Sequence, residues 1–169
     1  VPEFASSIKK SVPYIYEAIA NPLEGTMLTV IREWSEYIFS KQDVIRDFKR
    51  IIANSLEVLQ QSLIDTKSKL RILQQNNVVD AGAKGFVLFI EGILEFIKKH
   101  NIRSFVKQSN ENIALVHTEG VLDENIKYRF CTEAIIRDLT ISKPHLQKLL
   151  NDKGDSVVVA GSDNLCRIH

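Results

Sequence analysis

Apolar positions recur every three or four residues through most of the first hundred residues. Between Asp43 and Ile64 they fall at Val44, Ile45, Phe48, Ile51, Ile52, Leu56, Leu59, Leu63 and Ile64. That spacing lines one stripe of a helix. Thr26 to Tyr37 repeats the pattern with Leu28, Ile31, Trp34 and Tyr37. Phe86 to Ile97 is apolar nearly all round, which predicts a central helix with little solvent exposure. Gly82 and Gly85 precede that helix, and Asn21-Pro22 and Asn76-Asn77 read as helix stops or turns.

From about residue 106 the pattern changes. Gln108 to Asn112 reads as a polar linker. Ile126 to Ile136 opens with the aromatic and β-branched content of a strand, although Thr132 to Arg137 also suits a helix. Pro144 to Asn151 predicts a short helix with Ser142 as its cap and Pro144 in its first turn. Lys153-Gly154-Asp155 is a turn, Ser156 to Ala160 a strand, Gly161 to Asn164 a hairpin turn, and Leu165 to His169 a second strand. The fold class is therefore α+β: a helical region over 1–105, a linker over 106–125 and a small α+β region over 126–169. No internal repeat or low-complexity segment interrupts this order.

Composition narrows the partners. A hydrophobic content of 44% supports a packed core, and a formal net charge of +1 gives no bulk attraction for nucleic acid or an anionic membrane. The short runs Lys9-Lys10 and Lys98-Lys99-His100 read as solvated helix faces. No apolar run approaches the ~20 residues of a membrane span. Two cysteines, Cys131 and Cys166, make no disulfide framework, which points to a reducing cytoplasm. The chain opens on Val1-Pro2-Glu3-Phe4 and closes on the strand-like Asn164 to His169. Both ends look cut, so a fragment of a longer protein is expected.

Residue chemistry offers two sets of candidates. Thr26 and Met27 stand at a helix start, and Asp80-Ala81-Gly82 forms a helix-leading turn. Helix starts carry free backbone N–H groups, and glycine lets backbone approach a ligand. The same residues also suit ordinary capping. Cys131 and His169 separately offer a thiolate and an imidazole, groups of the kind that bind zinc. A cysteine in Phe130-Cys131-Thr132 equally suits a small buried apolar position. Cys166 lies three residues from His169 and should face the other side of a strand. His117 and His145 carry no assigned role, and His100 suits a helix C-terminus.

Three stretches together resemble one family. Asn21-Pro22-Leu23-Glu24-Gly25-Thr26-Met27-Leu28-Thr29-Val30-Ile31-Arg32-Glu33 and Asn77-Val78-Val79-Asp80-Ala81-Gly82-Ala83-Lys84-Gly85 resemble two signature segments of dihydroxyacetone-kinase-like proteins. Asn77 and Ala83 replace common glycines of that pattern. Tyr128-Arg129-Phe130-Cys131-Thr132-Glu133, followed by Gly154-Asp155-Ser156-Val157-Val158-Val159 and Arg167-Ile168-His169, resemble the middle domain of the ATP-binding component of fatty-acid kinase. The resemblance implies a partial all-helical dihydroxyacetone-kinase-like bundle followed by the start of a small α+β middle domain. It implies ATP and magnesium as cofactors, with the aspartate-rich magnesium motif and the phosphate-cradling loop outside this stretch of sequence. On this basis the stretch alone should not turn over ATP.

By the same resemblance Thr26, Met27, Asp80, Ala81 and Gly82 would line the adenine end of the nucleotide site. The helices that start near Thr26 and Gly82 must then have their N-termini at the same end. Cys131 and His169 would form a catalytic or zinc-binding pair within a Cys plus His-x-His cluster, its second histidine two residues beyond His169. The implied activity is phosphorylation of a fatty-acid carboxylate delivered by a fatty-acid-binding partner protein. Alternatives are a kinase of dihydroxyacetone or a similar triose, and a non-catalytic helical scaffold. An incomplete bundle would expose apolar faces, so a homodimer is a further expectation.

Overall fold

The computed structural model of the chain describes residues 1–99 and 127–169. The linker expected over 106–125, with His100 and His117, lies outside the described residues. The described residues divide into two compact units: 1–12 with 23–99, and 13–22 with 127–169. The helix α1, Pro2–Ala18, contributes its first part to one and its last part to the other.

The first unit is built on α2 (Met27–Lys41), α3 (Phe48–Lys69), α4 (Arg71–Asn76) and α5 (Ala81–Lys99). Thr26 caps α2, its hydroxyl accepting from Leu28 N at 3.3 Å. The buried side of α2 carries Leu28, Val30, Trp34 and Ile38. The stripe is thus rotated from the expected one, with Ile38 rather than Tyr37 in the core. Expected from Asp43, α3 begins five residues later, because Asp47 accepts from Arg50 N at 2.6 Å and fixes the first turn there. Val44 consequently stands 81% exposed.

Ile51, Ser55, Leu59, Ser62 and Thr66 form the buried edge of α3, the three- and four-residue spacing of a packed helix. Trp34 uses one of the small residues, donating from Nε1 to Ser55 Oγ at 2.8 Å inside the core. Its ring meets Phe86 edge-on at 5.5 Å and Phe4 at 6.4 Å. Asn77 ends α4 in the left-handed region, the short polar side chain tolerating φ +51.

Two features of α5 depart from the sequence expectation. The helix starts at Ala81, so Gly82 and Gly85 lie within it. It is also not buried all round: Ala83, Val87, Ile90 and Leu94 face the core, while Leu88, Phe89 and Phe96 are exposed.

The second unit has a three-stranded antiparallel sheet, order β1-β3-β2, from β1 (Ala134–Arg137), β2 (Val159–Gly161) and β3 (Leu165–Ile168). Of the stretch 132–137, open between strand and helix by sequence, Ala134–Arg137 is strand and pairs with β3, while the strand start expected from Ile126 does not form over 127–133. The hairpin at 161–164 forms as expected, and Gly161 adopts φ +111 with Leu165 O only 2.3 Å from where a Cβ would stand. The short helix α6, Lys143–Asn151, has Ser142 at its cap position without a side-chain cap bond. Leu146, Val157, Val159 and Cys166 make the core. The segment 13–22 joins this unit through Ala20 N to Val157 O at 3.0 Å, a bridge between Ile19 and Val158, and Gln147 Nε2 to Glu17 O at 2.8 Å.

Candidate functional site

The starts of α2 and α5 meet on one carboxylate oxygen. Asp80 Oδ1 accepts from Met27 N at 3.1 Å and from Ala83 N at 2.7 Å. One side chain therefore serves the N-termini of two helices 53 residues apart in sequence. Both helix dipoles favour a negative charge at that point. A Cβ on Gly82 would lie 3.3 Å from Asp80 Oδ1 and 3.5 Å from Met27 Cβ, so the closeness of the two helix starts leaves little room there. Thr66, wholly buried on α3, holds the turn from behind by accepting from Asp80 N at 3.0 Å and donating to Leu63 O at 2.6 Å.

The segment leading into α2 is equally tied. Thr29, buried, accepts from Gly25 N at 2.7 Å and donates to Glu24. Glu24 also pairs with Arg32 at 3.1 Å. Gly25 adopts φ +84, and a Cβ there would sit 2.5 Å from Lys69 Cβ. Glycine alone fits both the torsion and the space. Nearby, Glu33 pairs with Lys69 at 2.9 Å. Burial raises the Glu33 carboxyl, but the Ser62 hydroxyl, Lys69 and Arg32 outweigh it and hold it below the usual carboxylate range.

Of the residues expected here, Thr26, Met27, Asp80, Ala81 and Gly82 stand together. Met27, Ala81 and Gly82 are exposed, and Asp80 is half-buried. The outward surface is thus apolar side chain and backbone, while the Asp80 oxygen is engaged inward. Thr66 and Thr29 do not stand out in the sequence, where each reads as an ordinary helix position.

The second constellation lies on the sheet of the α+β unit. Ala134 pairs with Ile168, and Ile135 with Arg167. Paired residues share a sheet face, and alternate residues alternate faces. The next pair outward on the Ile135 face is Glu133 with His169. His169 Nδ1 lies 3.5 Å from Glu133 Oε1, and Arg167 binds Glu133 Oε2. Arg167 first, and then His169, hold the Glu133 carboxyl below the usual range. Cys166, paired with Ile136, points to the opposite side and is wholly buried, whereas Cys131 is exposed. The sheet thus separates Cys166 from His169, as strand parity predicts.

Cys131 and His169 line one hollow of about 340 Å³, with Tyr128, Phe130, Lys153 and Ser156 also on its wall. Ser156 sits at φ +54, uncommon for a residue with a Cβ. Zinc sites need three or four protein ligands. Among the described residues no group of three or more His, Cys, Asp or Glu stands together to hold a metal. Neither a complete zinc site nor an acidic magnesium site is thus present among the described residues. Glu133 escapes a reading of the sequence for reactive residues, though strand parity two residues from Cys131 carries the signal.

The helical unit has its signature segments joined at one end, and an α+β unit with its own lined hollow follows it along the chain. Residues 1–95 match the DAK2 domain, and residues 127–169 match the FakA-like middle domain of fatty acid kinase. The chain belongs to this dihydroxyacetone-kinase-like, FakA-like fatty acid kinase family. Similar proteins include an uncharacterized protein of Staphylococcus saprophyticus, 31% identical over 99% of this chain and 32% of its own length. Another, from Staphylococcus epidermidis, is 28% identical over the whole chain and 32% of its own length. A third, from Staphylococcus aureus, is 27% identical over 98% of the chain and 32% of its own length. The chain spans about a third of the length of these curated relatives. Among the described residues no helix is long and apolar enough to cross a membrane.

Proposed function

We propose that the full-length protein transfers the γ-phosphoryl group of ATP to a fatty-acid carboxylate presented by a separate fatty-acid-binding protein in the cytoplasm. A carboxylate oxygen attacks the γ-phosphorus, the bond to the bridging oxygen of ADP breaks, and an acyl phosphate and ADP result. The observation that carries this reading is the match of residues 127–169 to the FakA-like middle domain, in a chain that also matches the DAK2 domain. That middle domain favours a fatty-acid substrate over a triose.

In this reading Thr26, Met27, Asp80, Ala81 and Gly82 hold the nucleoside end of ATP. The exposed Met27 side chain and the Ala81-Gly82 backbone suit a flat, weakly polar base, and Asp80 fixes both helix starts behind it. Magnesium, held by oxygen ligands outside the described residues, neutralises phosphate charge when bound. Cys131 and His169 are the reactive pair of the second unit. The exposed Leu88, Phe89 and Phe96 of α5 support an associating face and hence a homodimer.

The test supplies the full-length protein with magnesium, ATP and a fatty-acid-loaded carrier protein, and traps acyl phosphate with hydroxylamine. ATP-dependent hydroxamate is the expected result. Phosphorylation of dihydroxyacetone without hydroxamate would replace this reading with the triose kinase. Turnover of neither substrate would leave the scaffold.

A further inference from the structure

We infer that the hollow of the second unit receives the carboxylate head and first carbons of an alkyl chain, with Lys153 selecting the charge and the Ser156 hydroxyl donating to it. The inference deepens the proposed function and rests on it for the source of that ligand, the acyl chain that the carrier protein presents. The wall of the hollow itself sets the ligand's chemistry.

The hollow, about 340 Å³, stands near the lower end of small-molecule pockets, so it suits a head and a short length of chain. Tyr128, Phe130, Leu150, Val157 and Ile168 supply an aromatic and aliphatic wall. Phe130 is 89% exposed, apolar surface that a bound chain would take from water.

The turn from Lys153 to Ser156 makes the polar side of the same wall. Lys153 forms no ion pair among the described residues, so its ammonium is open to an anion. Ser156 holds φ +54, a torsion that glycine takes freely and serine does not. The backbone there favours glycine, and the hydroxyl is what serine adds. Lys127 lies over the Tyr128 ring, Nζ 4.9 Å from its centroid, and places a second ammonium beside the wall. Asp155 carries the opposing charge on the turn. A phosphate head holds close to two charges at neutral pH. Its greater desolvation against an apolar wall would meet one ammonium on the turn, so the wall favours the singly charged carboxylate.

The experiment titrates octanoate into the full-length protein by calorimetry, with octanol and octyl phosphate as comparison ligands. Affinity should rise about fourfold per methylene from hexanoate to octanoate. Lys153→Ala should weaken octanoate binding about threefold to tenfold and leave octanol unchanged, while Asp155→Asn should tighten octanoate binding. Ser156→Gly separates folding from recognition: glycine relieves the torsion, so Tm should not fall, yet octanoate should bind more weakly. A diazirine-bearing octanoate, mapped by mass spectrometry, should label peptides that hold Tyr128, Phe130 or Leu150. Octanoate that does not bind, that labels elsewhere, or that is indifferent to Lys153→Ala overturns the inference. So does octanol or octyl phosphate binding as tightly as octanoate. The proposed function fails separately: no hydroxamate, with Lys153-dependent octanoate binding intact, sinks the kinase and supports the site. Hydroxamate formed at the wild-type rate by Lys153→Ala overturns the inference and leaves the proposed function standing.

Discussion

Removing the Asp80 carboxylate should loosen two helix starts at once. In Asp80→Ala the Met27 and Ala83 N–H groups both lose their acceptor. Loss of a side-chain cap costs about 0.5–2 kcal/mol. A hydrogen bond to a charged group is worth about 1.5–3 kcal/mol, but Met27 is 39% exposed, so water replaces much of that contact. Combining the cap with a small remainder gives a destabilisation of about 2 kcal/mol. For a chain of this size that lowers Tm by roughly 4–8 °C. Asp80→Asn keeps an oxygen acceptor and loses only the charge facing two helix dipoles, so its cost should be about 0.5–1 kcal/mol.

Urea denaturation followed by far-UV circular dichroism separates the two variants. Unchanged m-values would show that the native and unfolded states remain comparable. The shared-cap account fails if alanine and asparagine cost the same, or if both leave stability within a few tenths of a kcal/mol of wild type, the ordinary scale of a neutral surface change. Either result would mean that water or a neighbouring group already satisfies Met27 and Ala83 when Asp80 is absent.

Gly25→Ala should destabilise by about 1–3 kcal/mol in thermal melts, since φ is +84 and the new Cβ would stand 2.5 Å from Lys69 Cβ; a neutral substitution would contradict the turn geometry. Glu33 carries a carboxyl held below its ordinary value of 4.5, so its contribution should be fully present above that pH and lost as pH falls through the lowered value. The stability of Glu33→Gln should therefore be lower at neutral pH and converge on wild type in acid, and parallel acid-denaturation curves would refute the assignment. A maleimide should label exposed Cys131 at least tenfold faster than Cys166, which is wholly buried, and equal rates by mass spectrometry would show that the sheet opens readily.

How much of this is legible in the sequence depends on whether a position reports its own chemistry or its neighbour's. The helical periodicity of α2 and α3 and the 161–164 hairpin follow from local sequence, but the buried stripe of α2 is rotated, with Ile38 in the core and Tyr37 at its edge. The start of α3 does not follow, because Asp47 interrupts an apolar pattern that runs back to Val44, and a capping carboxylate looks like any other polar position until the helix direction is known. The exposed Leu88, Phe89 and Phe96 likewise read as core, since an apolar residue does not state which partner covers it. The meeting of Met27 with Asp80 comes from the family resemblance alone, as no local rule links residues 53 apart. Thr66 is invisible for the same reason: its hydroxyl matters only because Asp80 N arrives beside it. Strand parity, a rule that needs no tertiary contact, places Cys166 correctly, and the same rule extends to Glu133.

The two carboxylates at the candidate sites differ in what they contribute to stability. Asp80 is half-buried, tied from behind by a buried threonine and shared by two helix N-termini, so it acts on folding. Its engaged oxygen already serves two backbone donors, which means a nucleotide at this junction would meet Met27 and the Ala81-Gly82 backbone in front of it. Ligand affinity should then follow the rigidity of the two helix starts more than the charge of Asp80. Asp80→Asn, which keeps the acceptor, should bind nucleotide nearly as well as wild type, and Asp80→Ala should not. Glu133 is the opposite case. Its exposed partners add little to stability, and its removal should leave the melt unchanged. A carboxylate at a shared helix end and a carboxylate at a strand edge thus differ in what their removal does to denaturation. An Asp80→Ala protein with wild-type stability and lost nucleotide binding would break this separation, because it would make Asp80 a direct ligand.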